Sequence, residues 1–137
     1  MTSPQLIFLA AVLAVPIILT GCGDDDSVSA QAPDMPRFAD SVLAEGRSVW
    51  MNTCRACHLL GVAGAPAVTD YSNWEPRIAK GMRALYKGPL NGIKGEDGKY
   101  KMPPRGGNNR LSDAQIERAA QYMVAAVEYL HEQALAR

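Results

Sequence analysis

The sequence contains few of the residues from which metal and redox sites are commonly built. Among its 137 residues are three cysteines and two histidines. A structural zinc site needs four ligands, and the segment Cys54-Arg55-Ala56-Cys57 lacks the second ligand pair that would complete one. A dithiol redox motif of this spacing is typical of a βαβ unit, and the surrounding sequence shows no such pattern. Both kinds of site are therefore disfavoured.

The chain also lacks an excess of charge of either sign. Its formal net charge is zero, because 14 basic residues balance 14 acidic ones. All the basic residues and 10 of the acidic ones follow Pro36, so residues 37–137 carry a net charge of +4. A surplus this small and scattered argues against nucleic-acid binding, although it could attract an acidic protein partner.

No internal repeat and no alternation typical of a β-strand are visible, and the apolar residues follow helical spacing. The sequence therefore predicts an all-α fold of about four helices. A first helix is expected over residues 40–52, capped by Asp40 or Ser41. Gly46 inside this helix costs roughly 1 kcal/mol, which predicts close approach of another helix, with Ala119 and Tyr122 as candidate contacts.

The other predicted helices begin at capping boxes, in which Ser at the cap is followed three residues later by Gln or Glu. Ser112 and Gln115 open the last helix, and Ser72 and Glu75 open a middle helix that continues to about Lys87. The last helix has an apolar stripe that we assign to the core: Ile116, Ala120, Met123, Val127 and Leu130. Residues 94–101 are polar and contain glycine, so an exposed loop is expected there.

The most informative segment is Cys54-Arg55-Ala56-Cys57-His58, whose spacing is typical of covalent attachment of a c-type haem. Both thiols can form thioethers with the vinyl groups along one porphyrin edge. His58 follows closely enough to place its imidazole on the iron as the proximal ligand. The carbonyl of Pro66 could accept the other imidazole N–H, or Pro66 could simply form a turn.

Because His131 is expected at the surface, the methionines are the candidates for the second axial ligand of the iron. Met102 directly precedes Pro103-Pro104, which would hold a loop extended and stiff. A methionine held in this way suits the sixth iron position, and the alternative is an exposed loop methionine. The others are assigned to helix cores, to the N-terminal segment or to the haem-attachment side: Met82, Met123, Met35 and Met51.

The N-terminus resembles a bacterial lipoprotein signal. Residues 1–21 are uncharged and contain an apolar run over residues 6–19, which suits a signal-peptide core better than a membrane span. This run leads into Leu19-Thr20-Gly21-Cys22, similar to a lipobox, so Cys22 is expected to carry lipid as the first mature residue. Because the n-region has no Lys or Arg, the alternative is an uncleaved, tilted anchor.

Residues 22–36 are then expected to form a disordered, lipid-anchored tether, and residues 37–137 the haem domain. Export to the bacterial cell envelope, facing the periplasm, fits the place where c-type haem is attached. With Cys22 assigned to lipid and Cys54 and Cys57 assigned to haem, no disulfide is expected.

Taken with these motifs, the chain resembles a class I c-type cytochrome and is similar to the cytochrome c5 group. The resemblance covers about residues 42–129. The segments that carry it are Cys54-x-x-Cys57-His58-x-x-Gly61-Val62-Ala63-Gly64-Ala65-Pro66, Trp74-x-Pro76-Arg77-Ile78-Ala79-Lys80-Gly81, Leu90-Asn91-Gly92, Met102-Pro103-Pro104-Arg105-Gly106-Gly107 and Leu111-Ser112-Asp113. Two departures are Asn108-Asn109, where that group frequently has a cysteine pair, and a longer loop over residues 93–101.

The resemblance implies one haem c held by Cys54 and Cys57, with His58 and Met102 as axial ligands. It also implies electron transfer rather than enzymatic catalysis, through redox protein partners that dock at an exposed haem edge near the methionine. Candidate propionate partners are Trp74 and Arg77. Basic residues that could surround the docking edge, or be ordinary solvated charges, are Lys80, Arg83, Lys87, Lys99, Lys101 and Arg105.

Two alternatives to a free, tethered electron carrier follow from the same residues. One is a cytochrome subunit of a larger oxidoreductase. The other is a haem sensor or a peroxidase, which requires that Met102 does not bind iron.

Overall fold

The computed structural model describes residues 32–137. Their α-helices are α1 (Ser41–Thr53), α2 (Arg55–His58), α3 (Tyr71–Ile78), α4 (Met82–Asn91) and α5 (Asp113–Leu135). A short antiparallel sheet joins β1 (Ile93–Lys94) to β2 (Tyr100–Met102), and single 3-10 turns occupy Val62–Gly64 and Pro104–Gly107. The predominantly helical fold is as predicted.

The crossing of α1 and α5 forms the centre of the fold, and Gly46 permits it. A Cβ at this position would lie 2.1 Å from the backbone oxygen of Arg118 and 3.1 Å from Cβ of Tyr122. Next to this contact, Trp50 and Tyr122 are fully buried, with their ring centroids 5.8 Å apart. The predicted close approach at Gly46 is confirmed, with Tyr122 among the contacts as expected.

A side chain caps the N-terminus of each of these two helices. The Asp40 carboxylate accepts a hydrogen bond from the backbone N–H of Leu43, 2.9 Å away. At the start of α5, Ser112 and Gln115 form the reciprocal capping box that the sequence predicts. These caps satisfy helix N–H groups that have no partner within the helix.

The middle of the chain differs from the prediction in two ways. The cap of α3 is Asp70, whose carboxylate accepts from the backbone N–H of Asn73 and from the Ser72 hydroxyl, so the proposed box at Ser72 is wrong. The expected single helix is also divided, because Gly81 adopts a φ of 78° between α3 and α4. Left-handed backbone of this kind suits glycine and ends a helical run.

The expectation that the fold has no strand is also wrong. Ile93 pairs with Met102 and Lys94 pairs with Tyr100, so the exposed loop predicted over residues 94–101 forms a hairpin. Strands of two and three residues are too short for an alternating pattern to be recognised in a sequence. Although the sheet is short, it fixes where the chain enters the segment that begins at Met102.

Residues that precede position 37 already pack against the folded domain. Met35 is 5% exposed and belongs to the main hydrophobic core. The carbonyl oxygen of Pro36 accepts hydrogen bonds from the Tyr122 hydroxyl at 2.9 Å and from Nε of Arg47 at 3.2 Å. The last two residues of the expected tether therefore lie on the folded body.

The predictions for the signal peptide and for Cys22 lie outside the described residues. Within residues 32–137, none of the helices combines the length and the apolar character needed to cross a bilayer.

Candidate haem-binding site

The two thiols of the CxxCH segment lie one helical turn apart where α1 gives way to α2. The backbone N–H groups of Cys57 and His58 both donate to the oxygen of Cys54, at 3.2 and 3.0 Å. Cys54 is half-buried, Cys57 is exposed, and both are free. Burial, and secondarily the neighbouring Cys57, raises the pKa of the Cys54 thiol to about 11. The two cysteines therefore form one partly exposed edge of the folded domain.

His58 is the buried polar residue beside this edge, with 6% of its surface exposed. Its Nδ1 lies 3.0 Å from the carbonyl oxygen of Pro66. A carbonyl can only accept, so Nδ1 carries the proton and Nε2 keeps its lone pair. Burial lowers the pKa of His58 more than the Pro66 contact raises it, which favours the neutral imidazole. The predicted role of Pro66 as acceptor is confirmed.

The loop after α2 brings Pro66 back to the histidine. Gly61 and Gly64 have φ values of 78° and 77°, which reverse the chain around a 3-10 turn. The backbone N–H of Val68 then donates to the oxygen of His58 at 2.8 Å. The histidine is thus held by its own backbone and by its side chain.

Trp74 on α3 completes this side of the site. Its ring centroid lies 6.0 Å from that of His58, and its Nε1 donates to the carbonyl oxygen of Ala67 at 2.8 Å. The indole N–H is therefore already used, which contradicts the expectation that Trp74 serves a haem propionate. Sequence reasoning missed Ala67, because nothing in the local pattern relates it to a tryptophan seven residues later.

The Met102 segment packs on two other parts of the body. At the end of α4, a Cβ on Gly92 would lie 2.8 Å from the backbone oxygen of Met102. A Cβ on Gly106 would lie 2.8 Å from Cγ2 of Thr53, the residue that precedes Cys54. These two glycine contacts hold the Met102 segment between the end of α4 and Thr53, and Met102 itself is half-buried.

A groove of about 440 Å³ lies between α3, α4 and β1. Arg77, Lys80 and Lys87 supply positive charge to its wall, and Leu85 supplies apolar surface. Gly92, which contacts the Met102 segment, also lines this groove. The lining is thus basic and apolar, and it includes none of Cys54, Cys57 and His58.

A second groove, of about 350 Å³, lies beside the cysteine pair and has a mixed polar and apolar lining. Its lining residues are Met51, Asn52, Arg55, Ala56, Leu59, Leu60 and Val62. Leu60 and Val62 are exposed although they are large and apolar.

The residues present fit a haem. His58 offers an Nε2 that has no hydrogen-bond partner among residues 32–137, and the free thiols of Cys54 and Cys57 lie on the adjoining turn. A thiol pair and an adjacent histidine arranged in this way, in a small helical fold, place the chain in the class of proteins that bind haem c.

Known proteins of this class match the chain over most of the described region. The family model for cytochrome c oxidase, cbb3-type, subunit III, matches residues 33–123. Cytochrome c-555 of Chlorobaculum tepidum is 44% identical over 81 residues, which are 59% of this chain and 73% of that protein. Cytochrome c5 of Ectopseudomonas mendocina is 35% identical over 97 residues, which are 69% and 97% of the two chains.

A solved structure points the same way. A crystal structure of an electron transfer complex of nitrite reductase with cytochrome c contains a chain with a TM-score of 0.52 and 37% sequence identity. The match covers 61% of this chain and 94% of that one. The chain therefore belongs to the cytochrome c family that the matching model describes, as a class I c-type cytochrome similar to cytochrome c5. Its cofactor is haem c, as predicted.

Proposed function

We propose that this chain is a membrane-tethered electron carrier in which His58 and Met102 bind the haem iron from opposite faces. The observation that carries the proposal is the hydrogen bond from Nδ1 of His58 to the Pro66 oxygen, which directs the lone pair of Nε2 outward for a metal. The Met102 segment supports it, because Gly92 and Gly106 hold that segment beside the haem-attachment turn.

When bound, the haem supplies one-electron cycling between Fe(III) and Fe(II). The chain would contribute two covalent attachments, through Cys54 and Cys57, and a fixed tautomer at His58. Both ligand segments are held by the packed body, so little atomic movement would accompany a change in iron charge. The groove between α3, α4 and β1 is lined by Arg77, Lys80 and Lys87, which would be suited to hold the two propionates.

The resemblance implies docking of redox protein partners near Met102, and the partly exposed cysteine edge offers a second docking surface. The groove beside the cysteine pair, with exposed Leu60 and Val62, offers a small contact surface for the brief encounters typical of electron transfer. The complex of nitrite reductase with cytochrome c that contains a similar chain supports a redox enzyme as partner. The net charge of +4 over residues 37–137 would favour an acidic one.

The optical spectrum of the ferric, haem-loaded protein tests the axial ligands. A methionine-to-iron charge-transfer band is expected in the unmodified protein and in a Met51→Leu control, and its loss is expected in Met102→Ala. A high-spin spectrum with rapid cyanide binding in the unmodified protein would contradict His/Met ligation and favour a sensor or a peroxidase. A redox titration on the same samples would place the potential relative to candidate partners.

We also propose that residues 1–21 are a cleaved lipoprotein signal and that lipid on Cys22 holds the haem domain at the periplasmic face of a bacterial membrane. The uncharged apolar run and the lipobox-like residues before Cys22 support this. Mass spectrometry of the mature N-terminus should find a lipid-modified Cys22. An unmodified chain that still begins at Met1 would favour the uncleaved anchor.

A second candidate function is a cytochrome subunit of a larger oxidoreductase. The match to a family model described as a subunit of a cbb3-type cytochrome c oxidase favours it. Purification in mild detergent distinguishes the two. Stoichiometric recovery with a large partner supports the subunit, and recovery of the cytochrome alone supports the free carrier.

A further inference from the structure

The methionine loop, defined as residues 102–107, contains one strongly constrained residue that is not glycine. Arg105 has a φ of 54°, in the left-handed region that side chains with a Cβ rarely occupy. Gly106 and Gly107 follow with φ values of 61° and 84°. Such a conformation persists at a non-glycine residue where surrounding contacts fix it.

Those contacts come from the Arg105 side chain. Its Nη1 donates to the carbonyl oxygen of Leu111 at 2.7 Å, and its Nη2 pairs with the carboxylate of Asp113. Leu111 directly precedes the cap of α5, and Asp113 is the first residue of that helix. One planar guanidinium therefore joins the methionine loop to the start of α5 through two nitrogens, which fixes orientation as well as distance.

We propose that Arg105 is a positioning residue for Met102. By joining the loop to Leu111 and Asp113, it limits how readily the loop moves away from the iron and hence how readily another ligand replaces Met102. This inference rests on the proposed His58/Met102 ligation.

The bridge should act on the loop rather than on the whole fold. The side chains of Arg105 and Asp113 are 27% and 67% exposed, and ion pairs this accessible add little to global stability. The other supports of the loop are the close approaches at Gly92 and Gly106 and the pairing of Met102 with Ile93. A local opening of residues 102–107 breaks far fewer contacts than global unfolding, so the loss of one bridge has a larger relative effect on the open population.

The experiment is an imidazole titration of the ferric, haem-loaded protein, followed by loss of the methionine-to-iron charge-transfer band. Arg105→Gln removes both contacts and should raise the apparent imidazole affinity about fivefold, the upper range for a part-exposed ion pair. Asp113→Asn leaves the bond to the Leu111 oxygen, so its rise should be smaller, and the double variant should rise no further than Arg105→Gln.

A matched control exists at the other exposed Arg–carboxylate pair. Arg118 on α5 pairs with Glu45 on α1, with side chains 39% and 46% exposed. Glu45→Gln should leave the imidazole affinity unchanged. Arg105→Lys keeps the positive charge but cannot donate from two nitrogens of one planar group, so it should raise the imidazole affinity less than Arg105→Gln does. If Arg105→Gln loses haem, Arg105→Lys serves as the test.

Three results would overturn the inference. Unchanged affinity in the Arg105 and Asp113 variants would do so while leaving His/Met ligation intact, provided the unmodified protein has the band. An equal rise in Glu45→Gln would show that any lost ion pair acts through general loosening. A missing band in the unmodified ferric protein would overturn both this inference and the proposed ligation.

Discussion

Substitution of Gly46 by alanine should destabilise the protein although alanine is the better helix former. The added Cβ would lie 2.1 Å from the backbone oxygen of Arg118, and backbone cannot move aside as a flexible side chain can. Overpacking of this kind costs up to about 3 kcal/mol, and the gain in helix propensity offsets about 1 kcal/mol. The net loss is about 2 kcal/mol, which corresponds to a fall in Tm of roughly 10 °C.

Gly88 on α4 provides the matched control, since it is also a helical glycine. A Cβ there would lie 3.3 Å from Cδ1 of Ile93, the flexible end of a side chain. Because Pro89 follows and disfavours helical backbone at a preceding residue with a Cβ, Gly88→Ala should not stabilise the protein, but it should cost clearly less than Gly46→Ala. Thermal unfolding of the haem-loaded variants, followed by circular dichroism, measures both. If Gly46→Ala is as stable as the unmodified protein, the α1–α5 contact is not the constraint that its geometry indicates.

Three other predictions concern the hydrogen bonds of single side chains. Trp74→Phe keeps an aromatic ring but removes the donor to Ala67 and leaves a small cavity, so the free energy of unfolding in urea should fall by at least about 1 kcal/mol, and an unchanged value would contradict this. Tyr122→Phe removes the bond to the Pro36 oxygen and should increase hydrogen exchange in the first described residues, whereas exchange unchanged there would refute the role of that bond. Hydrogen bonds from Ser72 and Asn73 lower the pKa of Asp70, so its contribution to stability is present above the carboxyl's usual pKa and is lost as the pH falls through the lowered one. Urea unfolding between pH 5 and pH 2 should therefore show a steeper loss for the unmodified protein than for Asp70→Asn, and parallel curves would contradict it.

Local patterns predicted the parts of the molecule whose causes are local. The haem-attachment turn, the Asp40 cap and the Ser112 capping box each depend on residues within a few positions of one another. Gly46 was also informative, because a glycine in a helix has a cost that only a close neighbour explains.

The errors arose where two local patterns compete or where the cause is distant. Ser72 and Glu75 match a capping box, but Asp70 caps the helix from two residues earlier, where its carboxylate accepts from the N–H of Asn73. The indole of Trp74 was assigned to a cofactor because its acceptor, the Ala67 oxygen, is a backbone atom that no side-chain pattern reveals. The hairpin was missed because its strands are shorter than the period that identifies a strand.

The packing of residues 35–36 has a mechanical consequence. A pull on the chain from its N-terminal side reaches Met35 and Pro36 before it reaches α1. Pro36 passes the load to Tyr122 on α5 through its carbonyl oxygen, and to Arg47 on α1. The force thus enters two crossed helices at Pro36, which precedes Cys54 in the chain, and the haem-attachment turn is shielded from part of the tension in the segment that precedes it.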